Sequence, residues 1–191
     1  MKSPAIAALT LCCLPAAVSA QSLFGQSKPE TINRLAPSVA SPQNVVEEML
    51  KAADVKPNDM VYDLGSGDGR VVITAAKEFG ARAVGVEIMH EEAEKSRDKI
   101  KEARLDQRVR IIEGDMLTVD LSEADVVTLY LLTSSNDLVR PHLEKFLKRG
   151  ARVVSHDYPV RGWEPKEVKE VEATRRVHHL YVYEMPPTPQ Q

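Results

Sequence analysis

The stretch Met60-Val61-Tyr62-Asp63-Leu64-Gly65-Ser66-Gly67-Asp68-Gly69 decides the fold. Its first half is short and mainly apolar, the pattern of a strand, and it stops in a turn with three glycines. The run from Gly69 to Phe79 then reads as a helix closed by Gly80. Glycines let a backbone pass close to a ligand, and the start of the following helix presents amides with no partner inside the helix. A strand, a glycine turn and a helix in that order open an α/β unit.

Upstream, Ser41 and Pro42 are suited to cap and open a helix. Val45, Val46, Met49 and Leu50 follow at helical spacing, which predicts an amphipathic helix over 42–53. Downstream the alternation continues. Strands are predicted at 83–88, 109–112, 125–132 and 151–155, and helices at 90–105 and 136–148. Leu138, His142, Leu143, Phe146 and Leu147 are the residues expected to turn the last helix toward the sheet. The unbroken apolar run from Asp125 to Leu132 is that of a strand covered on both faces. Two closing strands are expected at 167–174 and 177–184. The sum is an α/β fold, a doubly wound, mostly parallel seven-stranded sheet with helices on both faces. Its ligand belongs beyond the carboxyl ends of the strands, at the switch point beside the first one.

The termini read differently. Lys2 precedes an apolar run from Ala5 to Val18 that ends in Val18-Ser19-Ala20, the pattern of a signal peptide over 1–20. This predicts an exported or periplasmic protein; a retained anchor and a cytoplasmic protein are the alternatives. The run is too short, and too interrupted by Pro15, for a stable membrane span. Residues 21–40 are read as a linker, 41–185 as the catalytic domain and the proline-rich 186–191 as a disordered tail. Both cysteines, Cys12 and Cys13, fall in the leader, so the remaining chain has no thiol nucleophile and no cysteine metal ligands. The formal net charge is −3 and no basic tract stands out, so no nucleic-acid partner is expected.

The glycine turn alone suits NAD, FAD and nucleotides as well as other ligands. Spacing narrows the choice. A dinucleotide fingerprint is G-x-G-x-x-G, whereas Gly65, Gly67 and Gly69 give G-x-G-x-G. Asp63, two residues ahead, would repel a pyrophosphate but suits a ligand carrying an ammonium and a sulfonium. No Lys-Ser/Thr pair follows, so a P-loop is excluded. Glu87 closes the second strand 22 residues beyond Gly65, where an acid accepts from ribose hydroxyls. After the third strand, Asp115 is placed to accept from an adenine amino group, and Met116 to offer its amide and an apolar contact. Asp63, Gly65, Ser66, Gly67, Asp68, Glu87, Asp115 and Met116 are therefore the candidate binding residues for S-adenosyl-L-methionine.

These segments resemble motifs I, II and III of class I methyltransferases: Asp63 to Arg70, Gly85-Val86-Glu87 and Gly114-Asp115. Further stretches carry a narrower likeness. They are Pro37-Ser38-Val39, Ser41-Pro42, Val45 to Leu50, Val127 to Leu132 and Arg152 to Asp157. Together they resemble the small protein-lysine methyltransferases that modify the ATP synthase c-subunit and the adenine nucleotide translocase. The resemblance implies a Rossmann-like fold, S-adenosylmethionine as cofactor and a protein lysine as acceptor.

A sulfonium methyl is already activated, so the enzyme must position the acceptor and deliver its amine neutral. Tyr130 and Asp157, at the ends of the fourth and fifth strands, are the candidate catalytic residues. Core packing for Tyr130 and a surface turn for Asp157 are the alternatives. His156 is read as structural, and His178 and His179, with no cysteine nearby, as forming no metal site. Trp163 is read as packing under its loop rather than lining an acceptor channel. The segment Tyr130-Leu131-Leu132-Thr133 lacks the Asn/Asp-Pro-Pro-aromatic run typical of enzymes that methylate exocyclic amino groups of bases. A small-molecule methyltransferase and a non-catalytic cofactor-binding protein remain as alternatives to the lysine enzyme.

Overall fold

The computed structural model describes residues 39–190. The expected leader, the linker before Val39, and Pro37 and Ser38 lie outside the described residues. The elements run α1 (Gln43–Ala52), β1 (Met60–Leu64), α2 (Arg70–Phe79), β2 (Arg82–Glu87), α3 (His90–Glu102), β3 (Val109–Glu113), β4 (Val126–Leu129), α4 (Thr133–Phe146), β5 (Arg152–His156), β6 (Trp163–Glu164), β7 (Glu167–Ala173), β8 (Arg176–Glu184) and β9 (Thr188–Pro189). Seven strands form one sheet in the order β3-β2-β1-β4-β5-β8-β7. The first five are parallel, and β8 runs against both of its neighbours. The order reverses between β1 and β4, which opens the crevice at the carboxyl ends of those two strands. Among the described residues no helix is long and apolar enough to cross a membrane.

The strands sort their side chains by alternation. Met60, Tyr62 and Leu64 of β1 join Val127 and Leu129 of β4 in one core, where Val139 and Leu143 of α4 cover them. Val61 and Val126 face the other core, with Val45 and Met49 of α1, Val72 and Ala75 of α2 and Ile100 of α3. Helices thus cover both faces. Asp63, Gly85, Glu87 and Thr128 share the alternation of Val61, Ala83 and Val126, so they point toward the α2 side.

Several expectations are corrected. Ser41 does not cap α1: the N-cap is Pro42, no side chain caps the helix, and Ser41 bonds elsewhere. The fourth strand ends at Leu129, where its pairing with both β1 and β5 ends, and not at Leu132. α4 begins at Thr133 instead of Asn136, because Ser135 and Asn136 amides donate to the Leu132 carbonyl at 2.9 Å and build a first turn from residues that are poor helix formers. The face that packs on the sheet is Ser135, Asn136, Val139 and Leu143, which leaves Leu138 52% exposed rather than facing the sheet. The tail expected to be disordered carries β9, whose Thr188 and Pro189 pair with Glu164 and Trp163 of β6. Trp163 is buried and packs edge-on to Tyr183, as its packing role requires.

Gly85 shows how tightly the sheet meets the loop after β1. A Cβ there would fall on Ser66 Oγ and lie 2.7 Å from Ile111 Cδ1 and 2.8 Å from Ser66 Cβ. Gly114, in contrast, has nothing within 4 Å of its Cβ position. Gly85→Ala should destabilise the protein by about 1–3 kcal/mol through overpacking. Gly114→Ala should stay within about 0.5 kcal/mol of the parent. Denaturant midpoints of the two variants measure this contrast.

Candidate active site

The loop from Gly65 to Gly69 is fixed mainly by hydrogen bonds from its backbone to β2 and α3. The Gly65 and Ser66 amides both donate to the Val86 carbonyl at 2.9 Å, and the Gly69 amide donates to Ser66 O at 3.0 Å. Gly65, Gly67 and Gly69 have φ of 85°, 52° and 77°, the left-handed region where a side chain costs most. From α3, Ser96 donates its hydroxyl to Gly67 O at 2.6 Å. An added Cβ at Gly67 would meet nothing within 4 Å, so the loop keeps open space on its outer side.

Glu87 is the keystone of the loop. One carboxylate oxygen accepts the Gly67 amide at 2.8 Å and the other accepts the Met89 amide at 2.9 Å. Its backbone carbonyl accepts the Gly114 amide at 2.9 Å, which joins the ends of β2 and β3. Each carboxylate oxygen has a further lone pair, so the side chain can hold the loop and still accept from a diol.

Asp63 is buried, and its carboxylate accepts the Thr128 hydroxyl at 2.7 Å across the switch point. Burial pushes its carboxyl up to about 6 against the pull of the Thr128 and Ser66 hydroxyls, and the neighbouring Glu87 and Asp68 push it the same way as burial. Among the described residues no cation pairs with this acid. A buried carboxylate without a cation fits a ligand that brings an ammonium group.

Asp68 is turned away from this group. Its carboxylate holds Arg70 through two bonds of 2.9 Å and Lys99 through another of 2.9 Å. Burial pushes its carboxyl up, but these cations outweigh burial and hold it well below the usual range. Arg70 in turn donates to the Ser41 carbonyl at 2.7 Å. Asp68 therefore shapes the loop's flank. Asp115 is exposed and caps the Leu117 amide at 2.9 Å, leaving its second oxygen free. The Met116 side chain turns into the core rather than toward a ligand, and this leaves its backbone amide as the group it can offer.

Across the crevice, β4 and β5 deliver Tyr130 and Asp157. Tyr130 stacks on His156 with ring centroids 4.0 Å apart, and Tyr158 lies 6.3 Å from it. Asp157 adopts φ of 60° and is gripped from β8. Its carboxylate accepts the His179 amide at 3.0 Å, Arg176 at 2.6 Å and His178 at 3.0 Å. Burial alone would raise this carboxyl, yet the His179 amide and the charged and polar groups around it hold it below the usual range. His156 is fully buried, and burial pushes it down to about 4, so the ring is neutral. Sequence reasoning did not single out Ser41, Arg70, Thr128, Tyr158, His178 or Arg176 for this site. Ser41, Arg70 and Thr128 lie in stretches that carry the family likeness without a role of their own, and the folded sheet brings Tyr158, Arg176 and His178 in from segments with no motif. Among the described residues, His156, Asp157 and His178 also lie close enough to share an ion, as do His90, Glu94 and Glu113.

The chain's likenesses agree with this geometry. The family profile described as the ANTKMT methyltransferase domain matches residues 63–167. A protein-lysine N-methyltransferase of Saccharolobus islandicus is 49% identical over 148 residues, covering 77% of this chain and 92% of that one. The adenine nucleotide translocase lysine N-methyltransferase of Mus musculus is 35% identical, covering 80% of this chain and 66% of that one. A crystal structure of an RNA methyltransferase from Salinibacter ruber with S-adenosyl-L-homocysteine superposes with a TM-score of 0.75 at 44% identity, covering 80% and 98% of the two chains. The fitted residues would hold S-adenosylmethionine by its amino group near Asp63, its ribose at Glu87 and its adenine beside Asp115. The profile spans more than half of the chain and the archaeal likeness nearly the whole of its counterpart, so the chain belongs to the ANTKMT methyltransferase family and is an S-adenosylmethionine-dependent methyltransferase.

Proposed function

We propose that this enzyme transfers the methyl group to the ε-amino nitrogen of a lysine in a protein substrate. The observation that carries the reading is the pairing of two tyrosine rings with a fixed carboxylate at the ends of β4 and β5. Aromatic faces attract an ammonium group out of water, and the fixed carboxylate anchors the strand end on which they stand. The lysine enzymes among the relatives support the same class of acceptor.

Within this reading the roles divide. The cofactor supplies a methyl on a positively charged sulfur. Tyr130 faces the acceptor: burial, and then the charge of Asp157, pushes its hydroxyl up, so it stays protonated and orients the amine by hydrogen bonding. Asp157 is a fixed charge rather than a base, since its oxygens are already occupied and its carboxyl is held low. The lysine ammonium releases its proton to solvent, its lone pair forms the new N–C bond, and the C–S electron pair returns to sulfur. Asp63 balances the ammonium of the cofactor, and Glu87 takes its ribose hydroxyls. The leader over 1–20 is proposed to direct export.

Three tests follow from these assignments. The Asp63 carboxyl sits at about 6, above the ordinary carboxylate value, so the ligand-free fold loses stability as pH rises from about 4 through about 6. Asp63→Asn should therefore stabilise the ligand-free protein at pH 8, by about 2–3 kcal/mol at most, and have little effect at pH 4. Cofactor affinity should change the other way: in the parent it rises about tenfold per pH unit up to about pH 6, and in Asp63→Asn it is weak and flat. Calorimetry against S-adenosylhomocysteine across pH reads both slopes.

Incubation with methyl-labelled cofactor and a cell extract should place label on protein lysines, as amino-acid analysis of the hydrolysate will show. Tyr130→Phe should cut kcat about tenfold to a thousandfold with cofactor affinity unchanged. Label found only in RNA, as the description of the Salinibacter relative would suggest, or only in solvent-extractable products, sinks the lysine reading. For the leader, amino-terminal sequencing of the protein recovered from the exported fraction should begin at Gln21, and an intact Met1 there would count against cleavage.

A further inference from the structure

Ser41 lies just ahead of α1, is buried, and bonds in two directions. Its carbonyl accepts Arg70 NH1 at 2.7 Å, and Arg70 is the first residue after the glycine loop. Its hydroxyl lies 2.8 Å from His156 Nδ1. His156 is the ring on which Tyr130 stacks at 4.0 Å. One buried residue therefore touches both the flank of the cofactor loop and the support of the acceptor-side tyrosine.

His156 is held from two sides. Its Nε2 lies 2.8 Å from His178 Nδ1, and that nitrogen also faces Asp157 Oδ2 at 3.0 Å and the Arg176 guanidinium at 3.1 Å. Its Nδ1 faces the Ser41 hydroxyl, which can donate or accept and so holds the ring in either tautomer. Ser41 therefore fixes the other side of the ring beneath Tyr130.

We propose that Ser41 is a positioning residue that couples occupancy of the cofactor loop to the acceptor-side tyrosine, acting through Arg70 on one side and His156 on the other. The proposal rests on the reading of Tyr130 as the acceptor-facing group. On this proposal a cofactor seated on the loop bears on Arg70, and Ser41 passes that constraint to the orientation of His156. No other contact among the described residues joins the two halves of the site through a single side chain and its own carbonyl.

The test is nitrogen-15 NMR of the histidine rings in the full-length protein, with the His156 signals assigned from a His156→Gln variant. S-adenosylhomocysteine is the probe. In the parent, adding the probe should shift the His156 ring signals. In Ser41→Ala the probe-induced shift should vanish, although calorimetry still shows binding. Ser41→Thr, which keeps the hydroxyl, should restore it. If Ser41→Ala does not fold, Arg70→Met cuts the other link and should likewise abolish the shift. A probe-induced shift that persists in the severed variant, or none in the parent, overturns the proposal. The readout does not depend on the acceptor, so a failure of the lysine reading would appear separately, in the labelling experiment.

Discussion

The rest of the site depends on the Glu87 carboxylate taking the Gly67 and Met89 amides. A loop in which Gly65, Gly67 and Gly69 all stand at positive φ has little intrinsic preference for one shape, because glycine restricts the chain least. It becomes a single shape when an acid from the next strand accepts its central amide and the Val86 carbonyl accepts two more. Charge-assisted bonds of this kind contribute about 1.5–3 kcal/mol each, enough to select one loop conformer over its competitors. Gly85 makes the clamp possible, since its missing side chain lets Ser66 settle against β2. The carboxylate proposed to take the ribose is thus first a structural element, which forms the loop before any ligand arrives.

Much of this was legible in the sequence. The strand–glycine–helix unit at Met60–Phe79 and the acid at Glu87 carry local signals, because the turn geometry and the strand end demand those residue types at fixed offsets. A mostly parallel sheet of seven strands follows from alternation plus a closing pair, and the fold has it. The misses have one physical origin, which is that tertiary contacts override local preference. Ser41 looks like a helix cap, but a buried imidazole 115 positions away offers its hydroxyl a partner inside the fold. Leu138 looks like a core residue, but the sheet takes the face of Ser135, Asn136, Val139 and Leu143 instead. Asp68 sits inside the glycine motif, yet two nearby cations hold it more strongly than the site does. No window of sequence contains those partners.

Asp63 shows the conflict between stability and binding most plainly. Burying a carboxylate beside two other acids costs the empty protein free energy, which is why its carboxyl is pushed up. Thr128, opposite in register, reduces the cost through one hydrogen bond. On the proposed reading, a ligand bearing an ammonium group removes the rest on binding, so the unliganded site stores part of its preference for a cationic amino acid as strain.

The acceptor side solves the opposite electrostatic problem. A lysine must arrive as an ammonium, attracted by negative potential, yet react as a neutral amine. A strongly anionic mouth would hold the proton on the lysine and stop the reaction. Here Asp157 is neutralised by Arg176 at 2.6 Å, and the buried His156 carries no charge at physiological pH. What remains at the mouth is nearly neutral and aromatic, with Tyr130 and Tyr158 as its walls. Aromatic faces attract a cation without stabilising it as a carboxylate would, so desolvation between them lowers the amine's proton affinity as it approaches the methyl group. On the lysine reading, Arg176 is as necessary as Asp157. The carboxylate anchors the β5–β8 end against which Tyr130 is stacked, and the guanidinium keeps that anchor from trapping the substrate in its charged form.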